Sequence, residues 1–335
     1  MAHELSFTIN GKAEMMYVGE KPWHGLGTEL PQLATAQEAI EAANLGWNVV
    51  QTAVYSPELP IMDSDGKLLR TLPGVEVPRK MINRRDDTGA PLGIVGDGYK
   101  ILQNVDAFRF FDAFTQDPHG PKYETAGALY GGAKIWALCK LPETFEVVKG
   151  DLIEPYILLC NSHDGSMAIR VMETPIRVVC NNTLQMAVRG KNRKIHIRHS
   201  GDVFGKVKDV QETLGLVRQQ FEETIEVYGL LAKKEPTKEE VTEVLSRLFP
   251  DTKTDRAKIQ RERVQALAEG GTGNDQKGVR GTAWGLYNGI TELEDHINGR
   301  GSDNQDARVN SIWFGSGAER KEKALATILE VCKIG

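Results

Sequence analysis

The sequence predicts an α+β fold: an antiparallel, β-rich N-terminal and central region over residues 1–200, followed by a helical region over 201–335 that packs on or extends the sheet. Three observations carry this. Between Tyr123 and Cys180 the apolar runs YETAGALY, KIWALCKL, PYILLCNS and MAIRVME/PIRVVC are joined by turns shorter than the dozen or more residues a parallel crossover needs. After Gly201 the period changes, and Val203, Val207, Val210, Leu214, Val217, Phe221, Ile225 and Tyr228 recur every three or four residues, as in one long amphipathic helix. Earlier, two short runs broken by Asp-Gly and Thr-Gly turns read as hairpins.

Taken in order, TAQEAIEAANLG is a short helix with Thr35 as its N-cap, Ala39, Ile40 and Ala43 on one side, and Gly46 as its stop. WNVVQTAVY has strand character. IMDSDGKLLRTL places Asp65-Gly66 between apolar residues, the signature of a type I′ hairpin turn. VEVPRKMINRRDDTGAPLGIVG is a second hairpin turning near Asp87 to Ala90. NVDAFRFFDAF sets Val105, Phe108, Phe111 and Phe114 at helical spacing behind Asn104 as a cap. In the central sheet, Gly131-Gly132, PETFEVVKGD and His163-Asp164-Gly165 are the connecting turns. Beyond the first long helix, VTEVLSRLF, RAKIQRERVQALA, TAWGLYNGITELEDHI and ERKEKALATILEVC are helical, separated by KKEPTKEE and by GGTGNDQKGVRG, which reads as a mobile loop.

Composition narrows the class. With 335 residues, 40% hydrophobic and 26% charged, the chain has material for one large core or two smaller ones. No apolar run approaches the ~18 residues of a membrane span, and MAHELSFTINGKAE lacks the basic start and apolar stretch of a signal peptide. Cys139, Cys160, Cys180 and Cys332 are widely spaced, and the first three lie in apolar runs that suit buried, reduced thiols. These features place the protein in the cytoplasm, with no membrane partner.

The formal charge of −5 argues against nucleic acid only if charge is evenly spread, and it is not. Arg189, Lys191, Arg193, Lys194 and Arg198 form a basic run with His196 and His199 among them and no acid. If IHIRH is a strand, Lys194, His196 and Arg198 share one face, able to track a phosphate backbone. Arg170 and Arg177 on neighbouring strands, and Arg79, Lys80, Arg84 and Arg85 on the earlier hairpin, extend that face if the sheet gathers them. These eleven residues are the candidate nucleic-acid site.

Other constellations carry less. Glu292 and His296 sit one helical turn apart with Asp295 beside them, but a metal needs three or four converging ligands, so none is expected. Ser162, His163, Asp164 and Ser166 share one tight turn and cannot converge as a triad. GSGAERK lacks the phosphate-loop spacing and GGTGNDQKGVRG the dinucleotide fingerprint, so no cofactor is expected and no catalytic residue is assigned. Trp284 and Tyr287, three apart on an amphipathic helix, read as core.

The segments GEKPWHGLGTEL, NSHDGSMAIRVMETPIRVVCNNTLQMA, GTAWGLYNGITELEDH and SIWFGSGAERKEKAL, in that order, resemble the phage/plasmid-like protein family built on a domain of unknown function. The resemblance implies a protein of phage and plasmid genomes at work in a bacterial host cell, and brings no established active site to transfer.

Two functions follow. The first is a non-enzymatic nucleic-acid-binding protein that binds or anneals single-stranded DNA in replication or recombination. An antiparallel sheet backed by helices is the general design of phage annealing proteins, an architectural analogy. The second is an enzyme or an inhibitor of a host function, with a site around His24, His163 and Asn181-Asn182, to which Glu292 adds a carboxylate. Asn181-Asn182-Thr183 would there sit at a helix N-terminus, where amides bind anions. The stripe from Val203 to Tyr228 fits either internal packing or a homo-oligomer.

Overall fold

The structure, a computed structural model, describes residues 5–19, 22, 25–109, 122–177, 182–183, 195–203, 205, 217–298, 311–312 and 315–334. In chain order the first elements are β1 (Met15–Val18), β2 (Thr28–Leu30), α1 (Ala36–Ala42), β3 (Val49–Tyr55), β4 (Leu59–Met62), β5 (Leu68–Leu72), β6 (Glu76–Arg85), β7 (Pro91–Gly96) and α2 (Asn104–Arg109). The central strands are β8 (Lys122–Leu129), β9 (Lys134–Lys140), β10 (Phe145–Val148), β11 (Asp151–Ser162), β12 (Ile169–Arg177), β13 (Asn182–Thr183) and β14 (Ile195–Ile197). Helices α3 (Val217–Lys233), α4 (Lys238–Leu248), α5 (Arg256–Gly270), α6 (Ala283–Glu292) and α7 (Ser316–Val331) follow. The fold is α+β, strand-rich in front and helical behind.

The main sheet has nine strands in the order β13-β12-β11-β9-β8-β1-β2, with β10 on one end of β11 and β14 on the far end of β12. All its described pairings are antiparallel except β1 with β2. Because side chains alternate along a strand, the sheet has two apolar faces. Ile135, Ala137, Cys139, Ile157, Leu159, Ile169 and Val171 face a core completed by Ala39 and Ile40 of α1, Phe108 of α2 and Phe221 of α3. Trp136, Leu138, Tyr156, Leu158, Cys160 and Met172 face a second core closed by Leu5, Met15 and Tyr17. The helical region has its own core, in which Tyr228, Trp284 and Tyr287 cluster, and Trp284 Nε1 donates to Asp151 Oδ2 at 2.7 Å, fastening α6 to the start of β11. Lys321 of α7, fully buried, donates to Asp295 at 2.6 Å, and Arg320 donates to both oxygens of Glu294, so two acids on the π-helical turn Leu293–Ile297 anchor the last helix.

Local chemistry accounts for several boundaries. Thr35 caps α1 in a capping box with Glu38, and Thr237 caps α4 likewise with Glu240. The β6–β7 turn closes with Gly89 at φ +68° and Arg85 N–H donating to Ala90 O. The β4–β5 turn differs from the type I′ expectation: only Gly66 has positive φ, at +78°, and Asp63 organises the loop by accepting from Asp65 N and Lys67 N. An aspartate that ties down its own loop spares Asp65 the left-handed conformation.

Other expectations are corrected too. PETFEVVKGD holds a strand, β10, paired with β11. Asn104 does not cap α2; its amide donates inward to Leu45 O and Trp47 O. Asn182 and Thr183 pair with Arg177 and Ile176 as strand β13, and Asn181 and residues 184–194 around them lie outside the described residues. The loop 271–282 is packed: Asn274 is buried and donates to Leu267 O, and Glu292 accepts from Thr272 N and Oγ1. Of the predicted helix from Val203 to Tyr228, the structure describes helix at Val203 and Gly205 and again from Val217 on, and 204 and 206–216 lie outside the described residues.

Candidate nucleic-acid interface

The eleven predicted cations divide. Arg189, Lys191, Arg193 and Lys194 lie outside the described residues, and Arg177 is described only as a backbone position at the end of β12. Arg79, Lys80, Arg84 and Arg198 are exposed, Arg79 with 86% of its side chain in solvent. Arg170 is half-buried on β12, opposite Cys160 and His196, and its Nε has no hydrogen-bond partner among the described residues.

Arg85 stands apart, only 3% exposed. Its Nη1 and Nη2 donate to the two carboxylate oxygens of the fully buried Glu14 at 2.9 and 2.5 Å, and Nε and Nη2 donate to Asp87 at 2.9 and 2.7 Å. The guanidinium also lies 4.2 Å above the Trp47 ring. Strand alternation explains the contrast with its neighbour: Arg85 shares the inward face of β6 with the buried Asn83, while Arg84 points outward. A guanidinium with this set of partners ties β6 to the segment before β1 and has no charge left for a phosphate.

The small sheet β3-β6-β7 meets the main sheet at a buried polar joint. Gly93 of β7 packs on the β11–β12 turn so closely that a Cβ there would fall 2.6 Å from Asp164 Cα. Asn83 Nδ2 donates to His163 O at 2.6 Å, and Tyr99 Oη donates to Ser162 O at 2.5 Å. His163 is fully buried, edge-on to Trp47, with Nε2 2.9 Å from Asn104 Oδ1. Since the Asn104 amide is committed to Leu45 and Trp47, its oxygen accepts and His163 carries the proton on Nε2. Burial, and then the neighbouring His199, push the His163 pKa down to about 3. His199 stacks on Tyr99 with ring centroids 4.4 Å apart, and its pKa is lowered by burial. Both rings are neutral at neutral pH and add no positive charge.

This joint sets the positions of the outer cations. Lys80 pairs with Gly96 in the β6–β7 ladder, Asp97 N donates to Arg79 O, Tyr99 N to Gly96 O, and Lys100 N to His199 O. One continuous hydrogen-bonded path therefore leads from Arg79 and Lys80, past Lys100, to Arg198 at the exit of β14. Lys100 is exposed and was missed in the sequence, where it is an isolated lysine. Its only signal is its place after the Asp-Gly turn that ends β7. One acid lies on the path, Asp97, 3.8 Å from Arg79 and mostly solvated. His196 and Arg198 face outward, and Ile197 and His199 inward, as the alternation predicts.

Residues 91–313 match the family described as Domain of unknown function (DUF932), more than half of the chain. The chain belongs to the DUF932 family. No curated protein and no solved structure matches it. The DUF932 stretch begins at Pro91, the first residue of β7, so it contains Lys100, Arg170, His163, His199 and Arg198 and leaves out β3 to β6 with Arg79, Lys80, Arg84 and Arg85.

The residues of the enzyme-or-inhibitor reading are not seen together. His24 and Asn181 lie outside the described residues, His163 is sealed from solvent, and Glu292 serves the loop at Thr272. Among the described residues no group of three or more His, Cys, Asp or Glu is arranged to hold a metal, and no helix is long and apolar enough to cross a membrane.

Proposed function

We propose that this DUF932 protein is a non-enzymatic nucleic-acid-binding protein of a phage or plasmid, which binds or anneals single-stranded DNA in replication or recombination and works as a homo-oligomer. The observation that supports it is the Lys100–His199 backbone pairing, which sets the exposed Lys100 beside the exit of β14 at the exposed Arg198, while the exposed Arg79 and Lys80 lie on the strand that pairs with β7. Arg198 follows the strand into which the basic run 189–194 leads. Clustered cations, rather than total charge, set affinity for phosphate, so a net charge of −5 does not oppose the reading.

The test is fluorescence anisotropy of the full-length protein with matched single- and double-stranded oligonucleotides across a salt series. Binding that weakens steeply with salt and prefers single strands is expected, with loss on the triple change K80E, K100E and R198E. Absence of binding at low salt, or affinity indifferent to salt, overturns the proposal.

A further inference from the structure

The small sheet β3-β6-β7 has two unlike faces. Val49, Asn83, Arg85 and Val95 turn inward and are buried at the joint with the main sheet, and the residues that alternate with them turn to solvent. The ladder registers set three rows across this outer face. Thr52, Ile82 and Ile94 form the middle row, Val50 and Arg84 lie in the row on one side, and Lys80 and Gly96 in the row on the other. Ile94 is 58% exposed and Val50 43%, so apolar surface is open between two exposed cations. No acid stands in the three rows, and Asp97, next after Gly96, faces Arg79. Arg84 donates through Nε to Gly89 O, a neutral carbonyl that leaves its charge uncompensated.

We propose that this outer face is the platform on which unpaired bases of a bound single strand lie. The inference rests on the nucleic-acid reading and extends it from phosphate to base. Residues two apart on one face of a strand stand about 6.6 Å from each other, so Arg84 and Lys80 each lie one such step from the aliphatic row. A cation on either side of an apolar row matches a polymer that carries phosphates along its edge and flat, weakly solvated rings along its middle. A duplex lacks that pattern, because it opens only phosphates and groove edges and keeps its ring faces in the stack. The face is also continuous with the candidate interface, since Lys80 belongs to both. Gly96 beside Lys80 has nothing within 4 Å of the place a Cβ would take, so that row is open to an approaching strand.

Fluorescence anisotropy of the full-length protein tests it, with labelled oligo-dT and an abasic strand of the same length and charge. Ile94 stands mostly in solvent, so I94S is expected to keep the wild-type circular dichroism. It should weaken oligo-dT about fivefold by taking apolar surface from the contact, and bind the abasic strand as the wild type does. R84A is expected to weaken both strands alike, as loss of a phosphate contact does. I94W is expected to bind oligo-dT more tightly, with its added fluorescence quenched by a stacked base. If I94S, I94W and R84A all match a wild type whose binding is salt-dependent, the inference falls and the nucleic-acid reading stands. Equal weakening of both strands by I94S also overturns it, and a wild type that binds no oligonucleotide at low salt overturns both.

Discussion

His199 and Lys100 grip each other twice: the Lys100 amide donates to the His199 carbonyl at 2.8 Å, and His199 Nδ1 donates to the Lys100 carbonyl at 2.9 Å. A carbonyl can only accept, so Nδ1 carries the proton and the tautomer is fixed. The ring is also stacked on Tyr99, next in sequence to the lysine it binds. H199F keeps the stacking and leaves the Lys100 carbonyl without its ring partner. A loss of about 1–3 kcal/mol is expected, the penalty for an unsatisfied polar group, read by urea unfolding. The same variant should weaken oligonucleotide binding, because Lys100 and Arg198 lose their fixed separation.

Acid should destabilise the protein through His163. In the unfolded chain this ring takes a proton near pH 6.5; in the fold, burial and the neighbouring His199 hold the pKa to about 3. Between those values the unfolded state binds more protons, so the stability contributed by neutral His163 is complete above the unfolded pKa and is lost as pH falls toward 3. The slope from one such group approaches about 1.4 kcal/mol per pH unit. H163Q retains an N–H able to reach Asn104 and cannot titrate. Its stability plotted against pH should be flatter than that of the wild type over this window, and parallel curves would exclude His163 as the cause.

Arg85 and Glu14 form the least accessible ion pair of the small-sheet joint. Removing one partner strands the other charge away from water, and R85M or E14Q should each destabilise by about 3–5 kcal/mol. The double variant should be less damaged than the sum of the two, since it strands neither charge, and a double-mutant cycle by chemical denaturation measures that coupling. Oligonucleotide affinity of whatever remains folded should be unchanged, which separates Arg85 from Arg84 one residue earlier.

How much of this was legible in the sequence depends on whether the deciding physics was local. The cap at Thr35, the turns at Asp87–Ala90 and His163–Gly165, and the strands of the central meander rest on neighbouring residues, and all stand where the pattern put them. β10 was hidden because Phe145–Val148 is too short to establish a period and is a strand only by pairing with β11. Asn104 looks like a cap from its position before Val105, yet the carbonyls of Leu45 and Trp47, nearly sixty residues away, draw its amide inward. Arg85 looks as basic as Arg84, and only the face of β6, with Glu14 seventy-one residues away, distinguishes them. Lys100 carried no signal beyond its place after the Asp-Gly turn, because its backbone partner, His199, lies ninety-nine residues away.

The outer cations make a graded prediction for nucleic acid. Each phosphate contact releases counterions, so removing one should reduce the steepness of log affinity against log salt by about 0.7 on a single strand. K80A, K100A and R198A should each do so by a similar amount and without altering base preference, because contacts to phosphate position the partner and do not read sequence. K258A serves as the comparison: Lys258 is exposed on α5, in the helical region, and its loss should leave the slope untouched. Equal effects from K258A and K100A would mean that the protein attracts DNA through diffuse charge. A change of slope confined to Lys80, Lys100 and Arg198 would locate the bound strand along the path that His199 and Lys100 hold together.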